Sequence, residues 1–163
     1  MSTDCRKGCP RDLLDATKFG FTIDKLNCTI SLLHGVELPG VTIGDTLHPT
    51  SVLDYGIPGE KIVYDDLTLT FLLDENMDAY VEIYKWMLAI ANPTRTELRE
   101  TGIDNWYSDG SLITRTNKEN PNRVIRFFDM WPSNISSISF DTQNTDEPVR
   151  VTATFRYSYF LFE

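Results

Sequence analysis

Apolar and polar residues alternate with a period of two along most of this 163-residue chain. That spacing belongs to strands with one buried face. The clearest case is Leu67-Thr68-Leu69-Thr70-Phe71-Leu72-Leu73, where Leu67, Leu69, Phe71 and Leu73 point one way and the threonines the other. A long strand over 149–162 closes the chain, with Val149, Val151, Ala153, Phe155, Tyr157, Tyr159 and Leu161 on one face. Near the start, Phe19 to Ile23 and Cys28 to Leu33 read as hairpin partners joined by Asp24 to Asn27. Leu38-Pro39-Gly40 marks a turn, and Val41-Thr42-Ile43 resumes the strand pattern. Residues 44–61 are rich in Gly, Pro and polar residues but keep Val52, Leu53, Tyr55 and Ile57, and Gly56-Ile57-Pro58-Gly59 reads as the tip of a long hairpin. There Pro presets φ and Gly accepts a positive φ at the next position. Leu112 to Thr114 is a short strand. Arg123 to Trp131 is a longer one, broken by Pro132-Ser133-Asn134 and followed by a strand over Ile135 to Phe140.

The period changes once. Met77, Tyr80, Val81, Tyr84, Met87, Leu88 and Ala91 recur at helical spacing, with Asp78, Glu82 and Lys85 opposite. This predicts one α-helix over about residues 75–91, with Asp74 or Asn76 to cap it and Pro93 to stop it. The fold class that follows is mainly β, an antiparallel sandwich or barrel protomer flanked by one helix. Residues 1–18 form a polar N-terminal arm, and residues 19–163 a single β domain. The polar stretch 92–121 is long for a loop inside such a domain.

Charge narrows the partners. The chain holds 24 Asp and Glu against 15 Lys and Arg, a net of -9. Residues 1–80 carry 6 basic and 13 acidic residues, so most of the excess (6 − 13 = -7) lies there. Tight nucleic-acid binding depends on cations that displace counterions from phosphates, and the basic residues here never form a run. An anionic membrane surface is disfavoured for the same reason. No apolar stretch reaches the ~20 residues of a membrane span. The first ten residues lack a signal-peptide core, so the expected site of synthesis and assembly is a cytoplasm.

Residues that could carry chemistry do not form a constellation. His34 and His48 have no metal-ligand spacing, and no nucleophile elbow or phosphate loop is present. Asp65-Asp66 and Asp74-Glu75 are paired carboxylates, but neighbours on a strand point to opposite faces, and Asp74-Glu75 suits a helix N-terminus. Cys5, Cys9 and Cys28 are odd in number, which argues against a closed intrachain set. Free thiols are the plain reading. The three are also candidates for an intersubunit disulfide, and a zinc site with His34 lacks half of the usual spacing. No catalytic residue, metal or cofactor is expected, and the chain reads as a non-enzymatic binding or structural module. The aromatic C-terminus, with Tyr157, Tyr159, Phe160 and Phe162, calls for a partner surface.

The order of features resembles the tail tube proteins of contractile-tailed bacteriophages. Leu38-Pro39-Gly40 is similar to the family's turn after the first hairpin. Tyr64-Asp65-Asp66-Leu67-Thr68-Leu69-Thr70 is similar to its aromatic-Asp-Asp lead into an alternating strand. Asp74-Glu75 opens a helix carrying Trp86, and Trp131-Pro132-Ser133-Asn134 resembles a Trp-Pro-x-Asn signature. The resemblance spans about residues 19–162 and rests on Asp65, Asp66, Trp86, Trp131, Pro132 and Asn134 in that order. It implies hexameric rings stacked into a hollow tube in a virion tail. DNA would pass through the lumen without specific binding, and a sheath protein, a baseplate hub and a tape-measure protein would be partners. It also implies that the hairpin spanning Thr46 to Tyr64, tipped by Gly56, Ile57, Pro58 and Gly59, reaches the adjacent ring. An acidic wall that repels phosphates would suit a DNA conduit, with the acids of residues 1–80 the first candidates for the lumen or the seam.

The compact length favours the repeating tube subunit. A baseplate tube initiator or hub, a tail terminator and the type VI secretion tube proteins share the resemblance. A tail-associated hydrolase and a generic β-sandwich binding domain are the alternatives from other classes.

Overall fold

The computed structural model describes residues 14–26, 32–49, 51–93, 106–140 and 148–163. Its elements are β1 (Phe19–Ile23), β2 (Leu33–Glu37), β3 (Val41–His48), β4 (Tyr55–Tyr64), β5 (Leu67–Leu72), α1 (Asp78–Ile90), β6 (Ser108–Arg115), β7 (Pro121–Ile135), β8 (Arg150–Arg156) and β9 (Tyr159–Phe162). All pairings are antiparallel. A seven-stranded sheet runs β1-β6-β7-β8-β5-β2, with β9 on β7. The long β7 is its hinge. Residues 121–130 of β7 pair with β6, 125–128 also pair with β9 on the other side, and 131–135 pair with β8. Two layers result: β1-β6-β7-β9 and β7-β8-β5-β2. The fold is mainly β with one helix, as the periodicity predicts.

The inward faces of the two layers and α1 meet in one core. Leu67, Leu69, Phe71, Val151, Ala153 and Phe155 come from one layer, and Phe21, Ile23, Leu112, Ile125 and Phe127 from the other. Each large side chain fully buried this way stabilises the fold by roughly 1.5–3 kcal/mol relative to exposure. Phe21 meets Phe127 edge-on at 6.2 Å between ring centroids, the arrangement that aromatic quadrupoles favour. β5 and β8 follow their predicted alternation.

Several elements differ from the sequence expectation. Among the described residues, Phe19–Ile23 pairs with β6, Phe19 opposite Thr114 and Ile23 opposite Gly110. The next described strand begins at Leu33 and pairs with β5, and residues 28–31 of the expected hairpin partner lie outside the described residues. The proline at 132 does not break its strand. Pro132 is buried within β7, and a register shift between Pro132 and Asn134 absorbs it, as bulges do for a residue without an N–H. Residues 136–140 form no strand. The final strand is two: after Arg156 the chain crosses from β8 to β9, and the inward parity flips, so that Phe160 is buried while Tyr159 and Leu161 are exposed.

The helix runs from Asp78 to Ile90, shorter than predicted at its start. The N-cap position is Met77, at a left-handed φ of 57° and without a side-chain cap, in place of Asp74 or Asn76; the Asp74 carboxylate nonetheless accepts the Asp78 N–H at 2.9 Å. The buried face is rotated, however. Ala79, Ile83 and Trp86 enter the core, with Ile90 packed against it, while Val81 and Tyr84 of the expected stripe are exposed.

Candidate assembly surfaces

Three surfaces stand out: two open strand edges and an arm. β2 pairs only with β5, and the 131–135 stretch of β7 pairs only with β8. These are the two ends of the layer β7-β8-β5-β2. Each presents backbone N–H and C=O groups without a ladder partner among the described strands, the usual template for pairing with another chain.

The arm is the separate two-stranded sheet β3–β4. Val41 faces Tyr64, Ile43 faces Ile62, Thr46 faces Ile57 and His48 faces Tyr55. His48 and Tyr55 stack at 5.3 Å near the outer end. A two-stranded ribbon is marginal in water by itself, and every described residue of β3 is exposed. Ile43 and Ile62 are 57% and 53% exposed, Ile57 42%, and Val52 beyond the strands 93%. Such a run of uncovered apolar residues marks an interaction surface.

The two strands of this arm are joined between His48 and Tyr55, not at the expected Gly56-Ile57-Pro58-Gly59. Those four residues are inside β4, where Gly56 pairs with Leu47, Ile57 with Thr46 and Pro58 with Asp45. Proline is tolerated there because a two-stranded ribbon has an outer edge that needs no donor. Gly59 sits at a register shift between Ile43 and Asp45. A Cβ at Gly59 would lie 2.6 Å from the Gly44 carbonyl oxygen, so the two strands approach closely only with glycine.

The family-motif residues hold the base of the arm to the body. The Asp65 N–H donates to the Gly40 carbonyl at 3.1 Å, and the Tyr157 hydroxyl donates to the Asp65 carbonyl at 3.0 Å. Tyr64 packs edge-on against Phe160 at 5.3 Å. The Tyr157 hydroxyl is pushed up to about 12, first by burial and then by the neighbouring Tyr64, Asp65 and Asp66. Asp66 pairs with Arg156 at 3.3 Å on the surface, a contact worth little by itself. Trp86 is buried in α1 and its indole N–H donates to the Trp106 carbonyl at 2.9 Å. Pro132 and Asn134 flank the bulge of β7, and Trp131 precedes it. Together with Ile90, Trp106 and Tyr107, Trp131 lines an apolar hollow of about 210 Å³. Asp65, Trp86 and Pro132 therefore have structural contacts in this protomer, while Asp66 has a surface ion pair. Cys5, Cys9 and Cys28 lie outside the described residues.

A second hollow is lined by Asp24, Lys25, Tyr107, Ser108, Asp109 and Asp129. Its carboxylates have backbone work: the Asp109 carboxylate accepts the Asp129 N–H at 3.2 Å, holding Asp129 at a left-handed φ of 55° where β6 and β7 shift register. Among the described residues no group of His, Cys, Asp and Glu is arranged to hold a metal ion. No described helix is long and apolar enough to cross a membrane.

A mainly β protomer with open edges and an uncovered arm offers surfaces on which other chains can pair. The family model described as phage tail tube protein matches residues 23–163. This chain belongs to the phage tail tube protein family. It is a component of the virion tail, as members of that structural family are. The tail tube terminator protein of Enterobacteria phage T4 is 29% identical over 158 residues, covering 91% of this chain and 88% of that one. Among solved structures, the tube-terminating cap of the anti-feeding prophage shares the fold with a TM-score of 0.67 at 12% identity, covering 100% of this chain and 99% of the cap. The sheath–tube complex of the PVC extracellular contractile injection system contains another such fold, with a TM-score of 0.65 at 13% identity and 99% of both chains covered.

The open edges are the feature that sequence reasoning missed. The alternation shows that strands exist, but which strand ends a sheet depends on pairing between residues far apart in the chain. Nothing in the composition of Leu33–Glu37 marks it as an edge.

Proposed function

We propose that this protein terminates a phage tail tube, forming the ring at the end of the tube rather than its repeating unit. The observation that carries this reading is the relationship to a tail tube terminator over nearly the full length of both chains. The repeating subunit, which the compact sequence favours, is the second reading, and the match to the tail tube family model supports it equally well.

Either role uses the same surfaces. The edges of β2 and of residues 131–135 pair laterally with neighbouring copies and close a hexameric ring, which covers both ends of the β7-β8-β5-β2 layer at once. The arm, with Gly56 to Gly59 in its outer half, carries apolar surface to the adjacent ring or copy. Sheath, baseplate and tape-measure proteins and the passing DNA are the partners of the completed tube. The protein has a structural role and no catalytic one.

Copy number separates the two readings. Quantitative mass spectrometry of purified tails, referenced to the sheath protein, is expected to find one ring's worth of this chain regardless of tail length. A copy number that scales with the sheath assigns the protein to the repeating tube and overturns the terminator reading.

A further inference from the structure

We infer that Tyr157 is a positioning residue for the arm: its hydroxyl latches the root of the arm to the body, and the ribbon beyond turns about that root as a lever. The inference rests on the reading that the arm docks on another copy, and adds which residue aims it.

The ribbon is supported at its base. Among the described residues of β3 and β4, Tyr64 alone packs against the core, and all but Gly59 and Tyr64 are exposed. The links to the body are short. Residues 38–40 lead in from β2, and Asp65 and Asp66 lead out to β5. Pro39 is buried and fixes one φ of the first link. The bond from the Asp65 N–H to the Gly40 carbonyl ties the two links to each other, not to the body. Asp66 with Arg156 is an exposed ion pair that constrains little. Tyr64 meets Phe160 at 5.3 Å and Tyr157 at 5.9 Å between ring centroids, contacts that aromatic rings make over a range of separations. The directional contact is the hydrogen bond from the Tyr157 hydroxyl to the Asp65 carbonyl at 3.0 Å.

Tyr157 is the fixed end of that bond. Its ring meets the fully buried Phe127 edge-on at 5.2 Å. The next residue is pinned too, because the Ser158 N–H donates to the Phe128 carbonyl at 3.0 Å. Phe127 and Phe128 belong to β7, and Tyr157 stands where the chain crosses from β8 to β9. The arm is thus aimed from the junction of the two layers. Length makes the aim matter. The eight residues of β3 extend about 25 Å from the root, and a turn of ~10° there carries the outer end about 4 Å, close to one strand spacing. An arm held within that range meets its docking site already aligned. A looser arm is aligned for a fraction of the time, and its apparent affinity falls by that fraction.

Tyr157→Phe keeps the ring and removes the hydroxyl. Time-resolved fluorescence anisotropy of the dispersed full chain reads the swing of the arm on the nanosecond scale. The dye sits on an azide-bearing residue that replaces Asp54 near the outer end of the arm, and the same dye in place of Lys85 on α1 is the body reference; both positions are exposed. The variant is expected to widen the cone of the dye at position 54 only. In sedimentation velocity the unlabelled variant should assemble at about 10-fold higher concentration. 4-Aminophenylalanine at position 157, which returns a donor to the same place, should restore both. An unchanged cone overturns the inference, as does a cone widened at both positions or one that the amine does not restore. If Tyr157→Phe does not fold, 4-methylphenylalanine fills the volume of the hydroxyl without donating, and the same cones decide. The docking reading is tested apart from the latch, by I43T/I62T. Assembly of that variant at the wild-type concentration removes arm docking, and the cone alone then decides the latch. Where I43T/I62T weakens assembly, a widened cone in Tyr157→Phe with assembly at the wild-type concentration also overturns the inference.

Discussion

The double substitution I43T/I62T separates assembly from folding. Ile43 and Ile62 face each other across the arm and are each more than half exposed in the protomer. Full burial of an isoleucine contributes about 1.5–3 kcal/mol, so covering the exposed half of each adds roughly 1 kcal/mol, or about 2 kcal/mol for the pair. Threonine keeps the β-branched shape that suits a strand but replaces the ethyl branch with a hydroxyl that prefers water. Each arm contact is therefore expected to weaken by about 30-fold, since ~1.4 kcal/mol is a factor of ten. The effect is larger for a ring held by several such contacts. Folding of the protomer should change by no more than ~0.5 kcal/mol, the usual range for surface positions. Sedimentation velocity across a concentration series reads the first quantity and urea unfolding of the dispersed protein the second. Assembly at an unchanged concentration would refute the role of the arm. A folding loss well above 1 kcal/mol would show instead that the arm belongs to the protomer's own core.

Three further outcomes follow from the body of the fold. Trp86→Phe loses the hydrogen bond to the Trp106 carbonyl and part of the core contact with Phe155; a loss of about 1–3 kcal/mol in chemical denaturation is expected. Gly59→Ala forces β4 away from the Gly44 carbonyl, so assembly should fail while the thermal midpoint of the protomer moves by only a few degrees. Tyr157→Phe changes the alkaline limb of stability. The folded hydroxyl is held at about 12, above its ordinary value of 10.0. Its contribution is therefore complete below pH 10 and is lost as the pH rises through 12. The phenylalanine variant should lose stability less steeply across that window in pH-dependent unfolding, and an identical slope would contradict the burial of the hydroxyl.

β5 and β8 were legible because a strand with one face in the core alternates strictly, and both do. The existence of α1 was legible from its period and from Asp74. Its orientation was not, because the helix has two apolar stripes of the same period. Ala79, Ile83, Trp86 and Ile90 form one, and Met77, Val81, Tyr84 and Leu88 the other. Local pattern favours the richer stripe, whereas the indole of Trp86 fits between Phe155 and the Trp106 carbonyl and turns the helix the other way. The partner of β1 was hidden for a related reason. The nearest strand in sequence is the cheaper loop to close, but Phe21 pairs with Leu112 and buries its ring against Phe127. The arm was visible as a hairpin, and only its tip was misplaced. Gly and Pro usually mark turns, yet at Pro58 and Gly59 they mark an open edge and a close strand approach.

Where the acids sit gives the net charge a different meaning from the one it had in the sequence. The threonine face of β5 and β8 carries Arg150 and Arg156 beside Asp66, while the arm over residues 41–64 holds Asp45, Asp54 and Glu60 against Lys61 (1 − 3 = -2). An apolar, flat, two-stranded ribbon is the part of this protomer most prone to indiscriminate pairing. Like charges on the same ribbon oppose the approach of one free arm to another. Docking on a surface shaped for the arm still gains the burial of Ile43, Ile57 and Ile62. Acidity placed there selects among contacts that share the same apolar drive, which is the requirement on a chain that must join a tube at one place and nowhere else.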